Sequence, residues 1–274
     1  MISKTGKWGR SPLTNVTLES IKKLSAKAVK EMISGIPECE FPEIAAVLAE
    51  DSRASVKNLA AQLMKRYEKA EQLKQKTLEM KAIETACYQE GFEAICGIDE
   101  VGRGPLAGPV VCAAVIMPKD SCIPGIDDSK KLSAKKRESL NAQILEEALA
   151  VSVGVRSPEE IDEMNILEAT KAAMKDAVNT LEIRPDLLLI DAVKLEMPME
   201  VRPVIHGDAS CYCIAAASIV AKVYRDQLMQ AYAEQFPGYD FDKNMGYGTA
   251  AHIAGIHQLG LTPIHRRTFV KNFI

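Results

Sequence analysis

The hydrophobic pattern changes character about a third of the way along the chain. Leu18, Ile21, Leu24, Ala28 and Met32 recur at helical spacing, and Gly35 and Pro37 close that helix. Pro42 is placed to open a short helix running to Leu48. From about residue 55 to residue 88 there is neither Gly nor Pro. Val56, Leu59, Leu63 and Tyr67 mark one face of a long helix, which Gly91 ends. The polar pattern of residues 1–15 predicts a mobile segment. Residues 1–90 therefore read as a helical N-terminal extension and residues 91–274 as a separate domain.

After Gly91 short apolar runs alternate with helical patterns. AICGID (94–99), VVCAAVIM (110–117), Val151–Val155, LLLID (187–191) and Val201–His206 read as five strands. Ser133 caps a helix to about Leu149. Ser157, followed by Pro158, Glu159 and Glu160, opens another, and Asn165 caps a third. Residues 210–232 and 248–259 read as further helices, and 119–132 as a loop. The pattern predicts an α/β fold, a mixed sheet with helices on both faces and an early antiparallel pair.

Composition narrows the class. The 274 residues are 47% hydrophobic and 26% charged, which excludes wholesale disorder. No apolar run reaches the roughly 20 residues that span a bilayer, so no membrane partner is expected. The opening MISKTGKWGRSPLTN lacks an apolar secretory core. Seven cysteines form no CxxC pair, and Cys211 and Cys213 bracket one tyrosine, a poor zinc spacing. Reduced thiols and a cytoplasmic location are the expectation. The net charge of −3 hides an asymmetry: residues 1–90 carry +3 and the remainder −6.

The acids that stand out lie where strands end. Asp99 and Glu100 close the first strand ahead of a Gly-rich loop, Asp191 closes the fourth, and Asp208 follows the fifth. Four carboxylates at strand ends form a cluster that cations must neutralise, and oxygen-only donors favour Mg²⁺ or Mn²⁺ over zinc. Two such ions are suited to phosphodiester cleavage. Gly102, Gly104 and Gly108 loosely suggest a dinucleotide loop, but Pro105 and Pro109 and the following β-branched run exclude the helix that loop requires.

These residues also carry a resemblance. IDEVGRGPLAGPVVCAAVI resembles the signature opening of type 2 ribonucleases H, of the bacterial ribonuclease HII family. The similarity continues through DDSKKLS (127–133), LLLIDA (187–192), AAASIVAKVYRD (215–226) and GYGTAAHIAGIHQLGLTPIHRRTF (246–269). It implies a ribonuclease H-like five-stranded mixed sheet flanked by helices. The implied activity is cleavage of RNA in RNA–DNA hybrids and at single ribonucleotides embedded in DNA, leaving 5′-phosphate and 3′-hydroxyl ends. Asp99, Glu100, Asp191 and Asp208 match the metal-binding catalytic carboxylates, with two ions in the substrate complex. Gly102, Arg103 and Gly104 match the element that senses the ribose 2′-hydroxyl, and Tyr247 matches a tyrosine that stacks on the following deoxyribose. Lys130, Lys222 and His265 are candidates to hold substrate phosphates. A monomer is expected.

Val101, His206 and Ser210 depart from the family pattern, the last two where lysines are common. The helical N-terminus, the GRG loop and Tyr247 argue against the related ribonuclease HIII branch. The four intact acids argue against a binder that has lost catalysis. A small-molecule phosphatase would explain the acids but neither the loop nor Tyr247.

Overall fold

The structure, a computed structural model, describes residues 17–274; the expectation for residues 1–15 lies outside them. The chain forms two compact units that divide between Gln75 and Lys76.

In the first unit, α1 (Leu18–Lys22), α2 (Ala26–Ile33), α3 (Phe41–Ala49) and the start of α4 (Ala54–Met80) enclose a core of Ile21, Val29, Phe41, Leu48, Val56 and Leu63. The single helix expected over residues 18–32 is broken, because Ser25 caps a new one by accepting from the Ala28 amide. The carbonyls freed at the break are taken by Arg53, whose guanidinium donates to Leu24 O at 2.6 Å and Ile21 O at 3.1 Å. Asp51 holds that arginine from the other side, which draws the Asp51 pKa down to about 2.

The second unit begins inside α4. Its last turns and α5 (Ala82–Gln89) pack with the residues that follow: Met80 enters the main core, and Glu84 binds the Cys213 amide at 2.7 Å. The compositional change at residue 91 thus lies about fifteen residues beyond the division between the units. An amphipathic helix looks the same in sequence whichever unit covers its apolar face.

The second unit holds β1 (Ile95–Val101), β2 (Val110–Ile116), β3 (Ala150–Arg156), β4 (Leu187–Asp191) and β5 (Glu200–Val204), in the order β3-β2-β1-β4-β5. β1–β2 and β2–β3 are antiparallel; β1–β4 and β4–β5 are parallel. Period-2 alternation divides the sheet residues between two cores. Val111, Ala113 and Val115 face α6 (Ala134–Glu147) and the Ala-rich α10 (Tyr212–Gln235). Cys96, Ile98, Cys112 and Ala114 face the side closed by α7 (Pro158–Met164) and α8 (Ile166–Asn179). Gly97 lets α10 lie directly on β1: a Cβ there would sit 2.2 Å from the Cys213 carbonyl carbon. The short α9 (Gly207–Ser210) precedes α10. The small helices α11 (Phe241–Asn244), α12 (Ala250–Leu259) and α13 (Arg267–Val270) complete the unit. No helix among the described residues is long and apolar enough to cross a membrane.

Candidate active site

The parallel pairing of β1 with β4 creates the site. Ile98 is level with Ile190, so Asp99 and Asp191 come next on neighbouring strands at the same end of the sheet. Asp191 Oδ1 accepts the Gly207 amide at 2.8 Å, which ties α9 to the end of β4 and brings in Asp208. His206 turns the chain into α9 in the left-handed region (φ 54°), and Asp208 lies on that short helix after β5.

β1 does not stop at its acids. Glu100 and Val101 still pair with Cys112 and Val111, and the bend comes at Gly102, at φ +92°. Asp99 faces α10, where Ser218 hydrogen-bonds its carboxylate, whereas Glu100 lies on the opposite face. Both nevertheless feel the Asp191 charge. Burial, reinforced by Glu100, pushes the Asp99 carboxyl well above the usual range; burial raises Glu100 too, against the pull of Arg103.

Two cations border the acids. Lys130 Nζ lies 3.1 Å from Asp208, and Arg103 Nη1 lies 3.3 Å from Glu100. Lys130 is positioned by a short 3₁₀ turn (Ser129–Lys131): Asp128 accepts its amide, and Ser129 Oγ meets Ser218 Oγ of α10 at 2.9 Å. Glu100 Oε2 is buried with no hydrogen-bond partner. A carboxylate oxygen taken out of water without a donor is costly. Asp99 and Asp191 follow level positions on neighbouring strands, Asp208 is tied in through the Gly207 amide, and Glu100 brings an orphaned oxygen, a donor set that fits hard divalent cations. Asp99, Glu100, Asp191 and Asp208 are the groups that would hold them.

The loop 102–109 is held by two fully buried arginines. Arg266 donates to Gly102 O at 2.5 Å, Arg103 O at 3.0 Å and Gly108 O at 2.8 Å. Arg225 donates to Pro109 O at 2.9 Å and Ala107 O at 3.2 Å, and reaches Met245 O at 2.9 Å, just ahead of Tyr247. A side chain at Gly102 would collide with Arg225, its Cβ 2.3 Å from Nε. Tyr247 is half exposed, and its ring edge lies 3.6 Å from where a Cβ on Gly104 would stand.

Two of the three basic candidates, Lys222 and His265, prove to be committed elsewhere, as is Arg266 beside His265. Lys222 pairs with Asp226 one turn along α10, and Asp226 also pairs with Arg137. Arg266, part of an apparently cationic run, is the internal clamp just described. His265 is corrected outright: it is not a surface cation but a buried, neutral ring. The Thr262 amide donates to His265 Nδ1 at 2.9 Å, so its proton is on Nε2. That proton faces His252 Nε2 at 3.0 Å, and His252 Nδ1 donates to Tyr247 O at 2.9 Å. Burial, aided by His252, draws the His265 pKa down to about 4, and burial lowers His252 as well. Its role is therefore to position the backbone of Tyr247.

This chain of rings has a pH signature. Both histidines are neutral above the unfolded pKa of about 6.5, and the stability they confer is complete there. As pH falls from about 6.5 towards about 4 the unfolded chain takes up protons that the folded rings refuse, so stability is lost, about 3 kcal/mol of it from His265. The melting temperature should fall across that window, and less steeply in His265→Asn. Parallel slopes in the two proteins would contradict the neutral assignment.

Residues 96–272 match the sequence profile of ribonuclease HII, and residues 25–88 match that of the ribonuclease HII N-terminal domain. Among curated relatives, ribonuclease HII of Enterococcus faecalis is 49% identical over 254 residues, 92% of this chain and 99% of the relative. Ribonuclease HII of Listeria monocytogenes is 50% identical over 220 residues, 80% of this chain and 84% of the relative. The crystal structure of ribonuclease H2 from Pyrococcus horikoshii superposes with a TM-score of 0.57 at 25% identity, over 66% of this chain and 97% of that one. Ribonuclease HII in the Archaeoglobus fulgidus PCNA complex superposes at 0.54 and 26% identity, over 64% and 94%. On the sheet, the site and these similarities together, the chain belongs to the ribonuclease HII family of metal-dependent type 2 ribonucleases H, which act on RNA–DNA hybrids.

Proposed function

We propose that this chain cuts both RNA within RNA–DNA hybrids and the strand beside single ribonucleotides embedded in DNA, leaving 5′-phosphate and 3′-hydroxyl ends. The observation that carries the second activity is the placement of the Tyr247 ring edge over Gly104, 3.6 Å from where a Cβ would stand. It sets an exposed aromatic ring beside a loop whose backbone can approach a ribose. The 2′-hydroxyl is what distinguishes RNA from DNA at one nucleotide. Gly102, Arg103 and Gly104 read that hydroxyl, and Tyr247 stacks on the deoxyribose that follows.

Asp99, Glu100, Asp191 and Asp208 hold two divalent cations, Mg²⁺ or Mn²⁺. When bound, these supply Lewis acidity that lowers a water's pKa and neutralises charge on the phosphate. Lys130, which pairs with Asp208 at 3.1 Å, is the cation placed to meet a substrate phosphate at this site. One chain supplies all four acids, so the working unit is a monomer. It acts in the cytoplasm, in removal of misincorporated ribonucleotides. Tyr247→Ala should slow cleavage at a single embedded ribonucleotide by roughly 10–100-fold, the worth of about 1–3 kcal/mol of stacking. Uniform hybrids should lose much less. Equal losses on the two substrates would show that the ring is structural.

The helical N-terminal extension adds sequence-blind contacts to the duplex backbone in this reading. Lys57, Lys65, Lys69 and Lys74 are exposed along α4. Arg66 stacks on Phe41, Lys76 pairs with Asp127, and Lys81 binds the Lys119 and Ser121 carbonyls. A cut at residue 91 would remove α5, so the informative deletion ends at Gln75. It should raise KM and flatten the salt dependence of binding while kcat holds. An unchanged salt slope would refute the contribution.

A further inference from the structure

Beneath β1, on the α10 side and apart from the four acids, lies a second set of potential ligands. Glu84 of α5 and Cys211 and Cys213 at the start of α10 are all buried. One carboxylate oxygen and the two sulfurs lie within 4.8 Å of one another, the metal-ligand triad present among the described residues. Cys211 is extended (φ −130°, ψ 124°) and Cys213 already lies in the first helical turn. That change of backbone direction brings sulfurs two residues apart to 3.7 Å. Two thiolates on one tetrahedral zinc ion, each at about 2.3 Å, stand about 3.8 Å apart. The contact is therefore already at the span of a shared cation, and the third donor comes from another helix. This revises the judgement that the one-residue spacing is poor for zinc, because spacing along the chain says nothing about a ligand 127 residues away.

A second observation points the same way. Glu84 Oε1 accepts the Cys213 amide at 2.7 Å, but Oε2 is buried with no hydrogen-bond partner. Burial also keeps the carboxyl above its usual range, against the pull of Cys213 and Lys81. We infer that Glu84, Cys211 and Cys213 form a binding site for one thiophilic divalent cation of the Zn²⁺ class, separate from the site of the hard ions. Binding forms two metal–sulfur bonds and one metal–oxygen bond and releases to solvent the two thiol protons, together with any proton the carboxyl carries. Three anionic donors leave a net charge of −1, which the Lys81 ammonium, the cation acting on Glu84, offsets. Cys87 belongs to the same buried cluster and offers a further sulfur. Because Cys211 follows Asp208 by three residues and its amide binds Gly207 O at 2.9 Å, an ion here would brace the turn that carries Asp208.

The test uses the full chain in excess Mg²⁺, so that hard-ion sites are filled, and titrates Cd²⁺ as the probe. One equivalent should produce the ultraviolet charge-transfer band of thiolate bound to cadmium and raise the melting temperature. Cys211→Ser and Cys213→Ser should each weaken binding about 100-fold, and Glu84→Gln about tenfold with the band retained, whereas Cys39→Ser and Cys122→Ser should bind like wild type. Cadmium-113 NMR of the unaltered protein counts sulfurs without relying on any variant, and should show a two-sulfur or three-sulfur environment. An oxygen-only resonance, no band at one equivalent, or a band that survives loss of both Cys211 and Cys213 would overturn the site.

Discussion

Asp191→Asn should reduce cleavage of an RNA–DNA hybrid by ~10³-fold or more while leaving the protein folded. Removing one charge from a cation-holding cluster forfeits several kcal/mol of transition-state stabilisation, and each 1.36 kcal/mol is tenfold in rate. Asp191 is the cleanest of the four acids for this experiment because its structural contact survives. Its Oδ1 accepts the Gly207 amide, and the amide oxygen of asparagine accepts the same bond. The turn into α9, and with it Asp208, stays in place while the charge disappears. The charge is also one that Asp99 and Glu100 feel as repulsion. The metal-free variant should accordingly melt no lower than wild type, and single-turnover cleavage at saturating Mg²⁺ together with the melting temperature separates the two effects. Turnover near that of wild type would remove Asp191 from the cation site.

Arg266→Met carries the largest expected cost to stability, roughly 3–5 kcal/mol. Methionine fills much of the volume but leaves without their donor the buried carbonyls of Gly102 and Gly108 and the partly buried carbonyl of Arg103. Each hydrogen bond to a charged group contributes about 1.5–3 kcal/mol, and a buried acceptor left unpaired costs its own desolvation besides. Lysine is no substitute, since a single ammonium cannot span three carbonyls as the guanidinium fork does. Denaturant unfolding measures the loss, and cleavage of both substrate types should fall together as the loop loses its shape. A change below about 1 kcal/mol would mean that the loop holds itself without the clamp.

The sheet was readable because its inner strands are buried on both faces and include uninterrupted apolar runs such as VVCAAVI and LLLID. The acids stood out because each follows such a run, and parallel pairing of β1 and β4 turns that linear fact into neighbourhood. Not readable was that β1 continues through Val101 instead of ending at its acids, so that Glu100 feels Asp191 from the opposite side of the sheet. The clamp was hidden for a different reason. Arginine in a helix or a C-terminal run reads as a surface charge, and only the fold brings the carbonyls of a distant loop around Arg225 and Arg266. His265 misled in the same way: beside two arginines it reads as a phosphate ligand, and only its packing on His252, Tyr239 and Phe241 shows a neutral ring. The CxC pair points to nothing until α5 brings Glu84 against it.

In the proposed function this site recognises one ribose in a DNA context and cuts beside it. The direct measurement is incubation of the full chain with a DNA duplex containing a single ribonucleotide, with Mg²⁺ or with chelator, followed by mapping of the cut and analysis of the new ends. The account predicts one incision at the ribonucleotide, strictly dependent on the cation, with 5′-phosphate and 3′-hydroxyl termini and no cleavage of the all-DNA control. An intact duplex under conditions where a continuous RNA–DNA hybrid is degraded would contradict it.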